Sequence, residues 1–210
     1  MGDLTPPPVN RSSLISKKAV RVLGIAESFD LSRPRSVLVG TVMRSDWVMD
    51  GAAISYVSVG GRDATRAIID IYSSLERSDV HLVMIDGCIL SWYNVVDLDE
   101  LRDSLGVPVM CISFEDVKGD AAGAIRKLFP DADERLALLE KLGRPAMIAT
   151  PHGVVWIRSR GIDYRTAKTV IKRFQREGKR PEPIRVSKLV SSAVLRSLME
   201  SEQGKDINGR

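Results

Sequence analysis

The chain changes its hydrophobic period part-way along, and that change organises its reading. Three mainly apolar runs come first. Residues 19–25, 36–42 and 47–59 predict strands, the second entered from a turn at Pro34 and the third kinked at Asp50-Gly51. Their short connections suit consecutive antiparallel strands. Then Ala64, Ala67, Ile68, Ile71, Tyr72 and Leu75 recur at helical spacing, with Asp63 placed to cap the helix after Gly60-Gly61. Residues 80–85 form a near-continuous apolar run, as in a strand covered on both faces. A second helix over 97–105 stops at Gly106, and 107–112 predicts another buried strand.

Three antiparallel strands followed by helix, strand, helix, strand match an α/β, ribonuclease H-like mixed sheet with helices on its faces. The remainder predicts a C-terminal α/β extension. It contains helices over 120–129 and 133–142, strands over 145–150 and 154–158 joined at His152-Gly153, and helices over 164–176 and 185–200 with a breaker at 178–183. Residues 1–18, with Pro6-Pro7-Pro8, read as a flexible arm, and 201–210 as a flexible tail. A single domain over 19–200 is long enough to bury a core without disulfides or metal.

Composition adds exclusions. Hydrophobic residues at 44% and charged residues at 28% rule out wholesale disorder. No apolar stretch approaches the roughly 18 residues of a membrane span. The start lacks a signal-peptide pattern, and Pro6 stands where N-myristoylation asks for Ser or Thr. A reduced, cytoplasmic setting is expected, with Cys111 a core hydrophobe. Cys88 and Cys111 make no zinc-ligand pattern. The net charge of +4 conceals a gradient: between Arg158 and Lys188 eleven basic residues face three acidic ones. Lys168, Lys172 and Arg176 are four apart and would share one helical face, either a solvated surface or a grip on phosphates.

Several side chains could carry chemistry. Asp86 closes Met84-Ile85-Asp86, where a buried strand could hold a metal-binding carboxylate rigidly; it could equally accept backbone bonds in a turn. The first strand ends Gly24-Ile25-Ala26-Glu27-Ser28. If position 26 faces Asp86 it offers a methyl group; if Glu27 does, or the strand bulges, its longer side chain could reach a shared ion. Asp63 is a cap or a third acid. Asp97 caps the following helix or joins a site. Asn94 could pair with a base edge or phosphate, and Trp92 and Tyr93 could stack on a displaced base or anchor packing. His152 reads as a turn residue, and Gly60-Gly61 lacks the Lys and spacing of a P-loop.

Across about residues 21–196 the sequence resembles the archaeal endonuclease dU family. The resemblance rests on Arg62-Asp63-Ala64-Thr65, Ile85-Asp86-Gly87, Tyr93-Asn94-Val95-Val96-Asp97, Gly161-Ile162-Asp163 and Pro181-Glu182-Pro183-Ile184-Arg185-Val186. It implies a relative of endonuclease V: a Mg²⁺- or Mn²⁺-assisted endonuclease acting in repair on DNA with a deaminated base, deoxyuridine by the family's name. DNA, and RNA by extension, would be its partner. It also implies a metal-binding carboxylate at Asp86 and a further acid at Asp63, with Asn94 and Asp97 in the adjoining loop. One departure divides the expectation. Many family members read Gly, apolar, Asp, Asp where this chain has Gly24-Ile25-Ala26-Glu27. Either Asp86, Glu27 and Asp63 form a catalytic centre with Asp86 and Glu27 as ligands, or the chain is a catalytically weakened nucleic-acid-binding module. Protein partners and oligomeric state follow from neither.

Overall fold

A computed structural model describes Leu14, residues 19–115 and residues 121–208, with side chains through Glu202. The expected arm over 1–18 therefore lies, apart from Leu14, outside the described residues. Strands β1 (Arg21–Ser28), β2 (Arg35–Arg44) and β3 (Met49–Ser58) come first, then helix α1 (Ala64–Ser74) and strand β4 (Leu82–Asp86). Two short strands, β5 (Ile89–Leu90) and β6 (Asn94–Val95), precede helix α2 (Leu98–Leu105) and strand β7 (Val109–Ser113). Helices α3 (Ala121–Leu128) and α4 (Ala132–Leu142), strands β8 (Ala146–Thr150) and β9 (Gly153–Arg160), and helices α5 (Tyr164–Phe174) and α6 (Glu182–Asn208) complete the order.

The main sheet has seven strands in the order β3-β2-β1-β4-β7-β9-β8. β1 pairs antiparallel with β2 and parallel with β4; β7 continues parallel to β4, and β9 and β8 return antiparallel. This is the expected mixed sheet. The expected kink is a bulge: Val42 faces Gly51 and Met43 faces Met49, so Asp50 is skipped. Its freed carboxylate takes Arg21 at 2.8 Å and Arg77 at 3.0 Å.

Helix ends follow local chemistry. Asp97 caps α2 by accepting from the N–H groups of Asp99 and Glu100, and Gly106 ends it at φ 68°. Helix α5 ends at Phe174 because Gln175 turns extended (φ −87°, ψ 127°). It therefore stops short of Arg176, contrary to the expected 164–176. Helix α6 starts at Glu182, with Pro183 in its first turn where a missing N–H costs nothing. It runs to Asn208, past the expected end at Glu200 and through most of the segment expected as a tail. The β5–β6 hairpin, read from sequence as a loop, has strands too short to show any period.

The sheet separates two cores. On one face Leu23, Ile25, Val83 and Ile85 pack with Ile68 and Ile71 of α1 and Leu98 and Leu101 of α2. On the other, Val22, Ala26, Leu82 and Met84 pack with Val170, Ile171 and Phe174 of α5 and Ile184 of α6. No helix is long and apolar enough to cross a membrane among the described residues.

Helix α6 approaches β1 backbone to backbone. A Cβ at Gly24 would lie 2.2 Å from the Pro183 carbonyl carbon and 2.6 Å from the Ile184 nitrogen. The Ser187 hydroxyl donates to the Gly24 carbonyl at 2.8 Å and bridges to Thr41 at 2.9 Å. Gly24→Ala must push the helix off the strand, and overpacking of this kind costs about 1–3 kcal/mol. Guanidinium unfolding checks this: the variant's midpoint should fall well below wild type, and an unchanged midpoint would refute the close approach.

Candidate nucleic-acid interface

Asp86 ends β4, a strand buried through Ile85. The parallel register with β1 runs Val22 to Leu82, Leu23 to Val83, Gly24 to Met84 and Ile25 to Ile85. The same offset sets Ala26 level with Asp86. Side chains alternate along each strand, so Asp86 and Ala26 share the face that carries α5 and α6. Asp86 thus has a methyl group beside it. What faces its carboxylate is positive: Arg180 Nε is 3.5 Å from Oδ2, and Arg180 Nη2 is 3.5 Å from Oδ1. Burial raises the Asp86 pKa, against the lowering effect of Arg180 and Lys188.

The structure does not bring Glu27 to Asp86. Its side chain emerges on the opposite face and is 9% exposed. Its carboxylate accepts from the Ser91 N–H at 2.5 Å and from the Ser91 hydroxyl. That hydroxyl also bonds Ser36 at 2.5 Å. Burial pushes the Glu27 pKa above its ordinary 4.5, although Ser91, Ser36 and Lys188 pull the other way. β1 carries no bulge at this point: its pairing to β2 is regular through Ser28, so the rescue route considered from sequence is closed.

Glu27 instead anchors an aromatic hairpin. Ser91, Trp92 and Tyr93 all adopt left-handed backbone, at φ 41°, 59° and 67°. For non-glycine residues this costs about 1 kcal/mol each. The surrounding bonds hold it in place. Besides Glu27, the Gly60 N–H donates to the Ser91 carbonyl at 2.7 Å, and Arg135 donates to the Tyr93 carbonyl at 2.9 Å. Trp92 and Tyr93 pack against Phe129, with ring centroids 5.2 and 5.9 Å away, and Arg135 stacks over Phe129 at 4.0 Å. Trp92 remains 37% exposed.

Asp63 and Asn94 belong to the same assembly. Asp63 does not cap α1 with its side chain. It accepts from the Ser58 N–H at 3.1 Å, the Ser58 hydroxyl at 2.8 Å and Asn94 Nδ2 at 2.7 Å. Burial alone would raise its pKa, but these bonds hold it below the ordinary carboxylate range. Buried Asn94 accepts from the Ala64 N–H at 3.1 Å, so the remote asparagine caps the helix. Asp97 caps α2 and also pairs with Lys141 at 2.8 Å. With these contacts made, neither Asn94 nor Asp97 presents a free group to a base.

The basic segment sits on the Asp86 side of the sheet. Lys168 is half-buried and Lys172 exposed on α5, whose other face packs in the second core. Arg176, beyond the helix end, leaves their face and lies 6.0 Å over the Trp47 ring. Sequence reasoning did not single out Arg180, Lys188 or Phe114. Arg180 lies 4.5 Å over the Phe114 ring, and Lys188 donates to the Glu27 carbonyl at 2.6 Å. Arg180 adjoins the Pro181–Val186 stretch already noted for its resemblance, which was the available signal.

With this geometry the chain can be compared with known proteins. The sequence pattern described as Endonuclease dU matches residues 18–195. The chain belongs to the Endonuclease dU family. A UPF0215 protein of Pyrobaculum calidifontis is 42% identical over 173 residues, covering 82% of this chain and 95% of the relative. Among solved structures, an Archaeoglobus fulgidus protein of unknown function superposes with a TM-score of 0.74 at 26% identity, covering 83% of this chain and 98% of that one. Ciona intestinalis endonuclease V, in complex with a 24mer DNA containing an inosine followed by a ribo-adenosine, gives 0.57 at 12% identity over 86% and 87%. The fold is ribonuclease H-like, of the endonuclease V type.

That fold family implies a divalent metal, and among the described residues the set around Asp86 does not fit one. Mg²⁺ is held by one or two protein carboxylates together with waters and substrate phosphates, and a guanidinium paired to the same carboxylate competes with it. Here one carboxylate stands beside a methyl group and faces an arginine, while Glu27 is committed across the sheet. Among the described residues no three His, Cys, Asp or Glu side chains gather as a metal-binding group.

The elevated Glu27 pKa has a consequence for stability. A raised carboxyl pKa means the folded state prefers the protonated form. Its contribution is most favourable below the ordinary 4.5 and is lost as pH rises through the folded value. Glu27→Gln should remove that loss, flatten stability against pH and exceed wild type at neutral pH. Denaturation across acid to neutral pH checks this; a variant whose loss of stability grew from acid to neutral pH would show that the charged form is preferred.

Proposed function

We propose that this chain binds nucleic acid as an endonuclease-like protein whose hydrolytic centre is weakened. One observation carries the reading: Asp86 lies beside Ala26 and Arg180 where the resemblance leads to a second carboxylate. Family membership supports DNA with a deaminated base, deoxyuridine by the family's name, as the strand bound and repair as the setting. The basic residues of α5 and the loop after it support backbone contact on the same side of the sheet. Lys168, Lys172, Lys179 and Arg180 would each neutralise a phosphate, and the part of the Trp92 ring left open beside Phe129 would meet a base.

A second reading retains hydrolysis, favoured by the place of Asp86 at the carboxyl end of a buried parallel strand. On that reading Asp86 would be the principal carboxylate for Mg²⁺ or Mn²⁺, with catalysis surviving the loss of its partner. A nicking assay separates the two. On deoxyuridine-containing duplex with either ion, wild type should bind but scarcely nick, and Ala26→Asp should raise nicking sharply. Efficient wild-type nicking that Asp86→Asn abolishes would establish the second reading instead.

Salt dependence tests the grip itself. Four phosphate contacts give a slope of log K against log salt of about −3.5. Lys172→Ala should make it shallower by about one unit. Binding that ignores salt would contradict the proposal.

A further inference from the structure

The loop between α5 and α6 covers the end of β4 with a cleft. It has a volume of about 470 Å³ and is lined by Phe114, Glu115, Glu177, Lys179, Arg180 and Arg185. Its cations are differently occupied. Arg185 is bound to Glu182, with Nη2 at 2.6 Å from Oε2 and Nε at 2.9 Å. Arg180 is held in place but incompletely bonded. Its guanidinium lies over Phe114, and both contacts to Asp86 are 3.5 Å, well beyond the roughly 2.7–2.9 Å of a formed charge-assisted bond. Arg180 Nε is buried and has no hydrogen-bond partner. That Nε is turned to Asp86 and closed to solvent, whereas the side chain as a whole is 41% exposed, so the rest of the guanidinium is open to an acceptor.

The backbone around this arginine is fixed on both sides. Gln175 Nε2 donates to the Lys179 carbonyl at 2.6 Å, and the next residues, Pro181 and Glu182, lead into the helix seated on Gly24. The Lys179 stem lies against Gly153 in the β8–β9 turn, where a Cβ would meet its Cε at 2.9 Å. Glu115 and Glu177 are exposed, at the solvent side of the cleft.

We propose that this cleft is a metal-free phosphate subsite, in which Arg180 supplies beside Asp86 the positive charge that a divalent ion would otherwise bring. A phosphate oxygen of a nucleic-acid strand takes the guanidinium edge turned away from Asp86, on a side chain that is 41% exposed, and Lys179 adds a second cation. Asp86 then orients the guanidinium fork rather than binding an ion. The inference rests on the nucleic-acid-binding reading and deepens it. It assigns Arg180 as a substrate-binding residue and Asp86 as a positioning residue.

Fluorescence anisotropy with a labelled oligonucleotide, in EDTA and again with excess Mg²⁺, tests it on the full chain. Wild type should bind in EDTA, and no more tightly with Mg²⁺, which competes with the protein's cations for phosphate. Arg180→Ala should weaken binding in EDTA by about tenfold or more, and Arg180→Lys should recover only part, because a point charge replaces the stacked fork. Circular dichroism establishes that the Arg180 variants are folded. Equal binding by wild type and Arg180→Ala in EDTA overturns the subsite while leaving the nucleic-acid reading standing. Binding by wild type that requires Mg²⁺ overturns the metal-free claim. No binding by wild type under either condition removes the nucleic-acid reading itself, and the subsite with it.

Discussion

Strand β1 is buried on both faces between an antiparallel and a parallel neighbour, and its two-residue period assigns each side chain to one side of the sheet. Leu23, Ile25 and Glu27 go to the side of α1 and α2; Val22, Gly24, Ala26 and Ser28 go to the side of α5 and α6. A one-residue slip would exchange the two sets and expose mismatched cores, so the register is strongly specified. The chemistry of the sheet's end follows from this parity. Glu27 cannot assist Asp86, because reaching it would require the apolar neighbours of β1 to change face as well.

The two sides carry different work. Around Glu27, a network of Ser36, Ser91, Ser58, Asp63 and Asn94 is satisfied internally and holds three left-handed residues at an aromatic hairpin. Its acidic members are consumed by that task. On the other side, α6 seats on the bare backbone of Gly24, which fixes the loop before it above Asp86. The residue that reaches the Asp86 carboxylate is a cation, Arg180. The positive segment between Arg158 and Lys188 thus adjoins the one carboxylate at the end of β4, and the polarity seen along the chain becomes a polarity across the sheet.

Much of this was legible in the sequence, because burial on both faces or on one leaves a plain period. The strands through β4 and β7, the helices α1 and α2 and the kink at Asp50 all declared themselves in that way. Asp97 as a cap was legible for the same local reason. Less was legible where partners lie far apart in the chain. That Asn94 caps α1 in place of Asp63, and that Ser91 holds Glu27, depends on contacts 30 and 64 residues away. The sequence leaves the facing of Ala26 open between two possibilities, and only the register to β4 chooses between them. Arg176 was assigned to a helical face by spacing alone, but the helix ends at Phe174, where the C-cap Gln175 turns extended. Arg180 lay unnoticed within a basic segment because nothing in its neighbours marks the aromatic ring and carboxylate that it meets.

The claim on which the account turns is that the end of β4 is completed by an arginine and not by a metal ion. Titration of Mn²⁺ into the wild-type protein, followed by calorimetry and electron paramagnetic resonance, tests it most directly. Wild type and Asp86→Asn should give the same isotherm, with no saturable ion site that depends on Asp86. A saturable Mn²⁺ site present in wild type and lost in Asp86→Asn would contradict it.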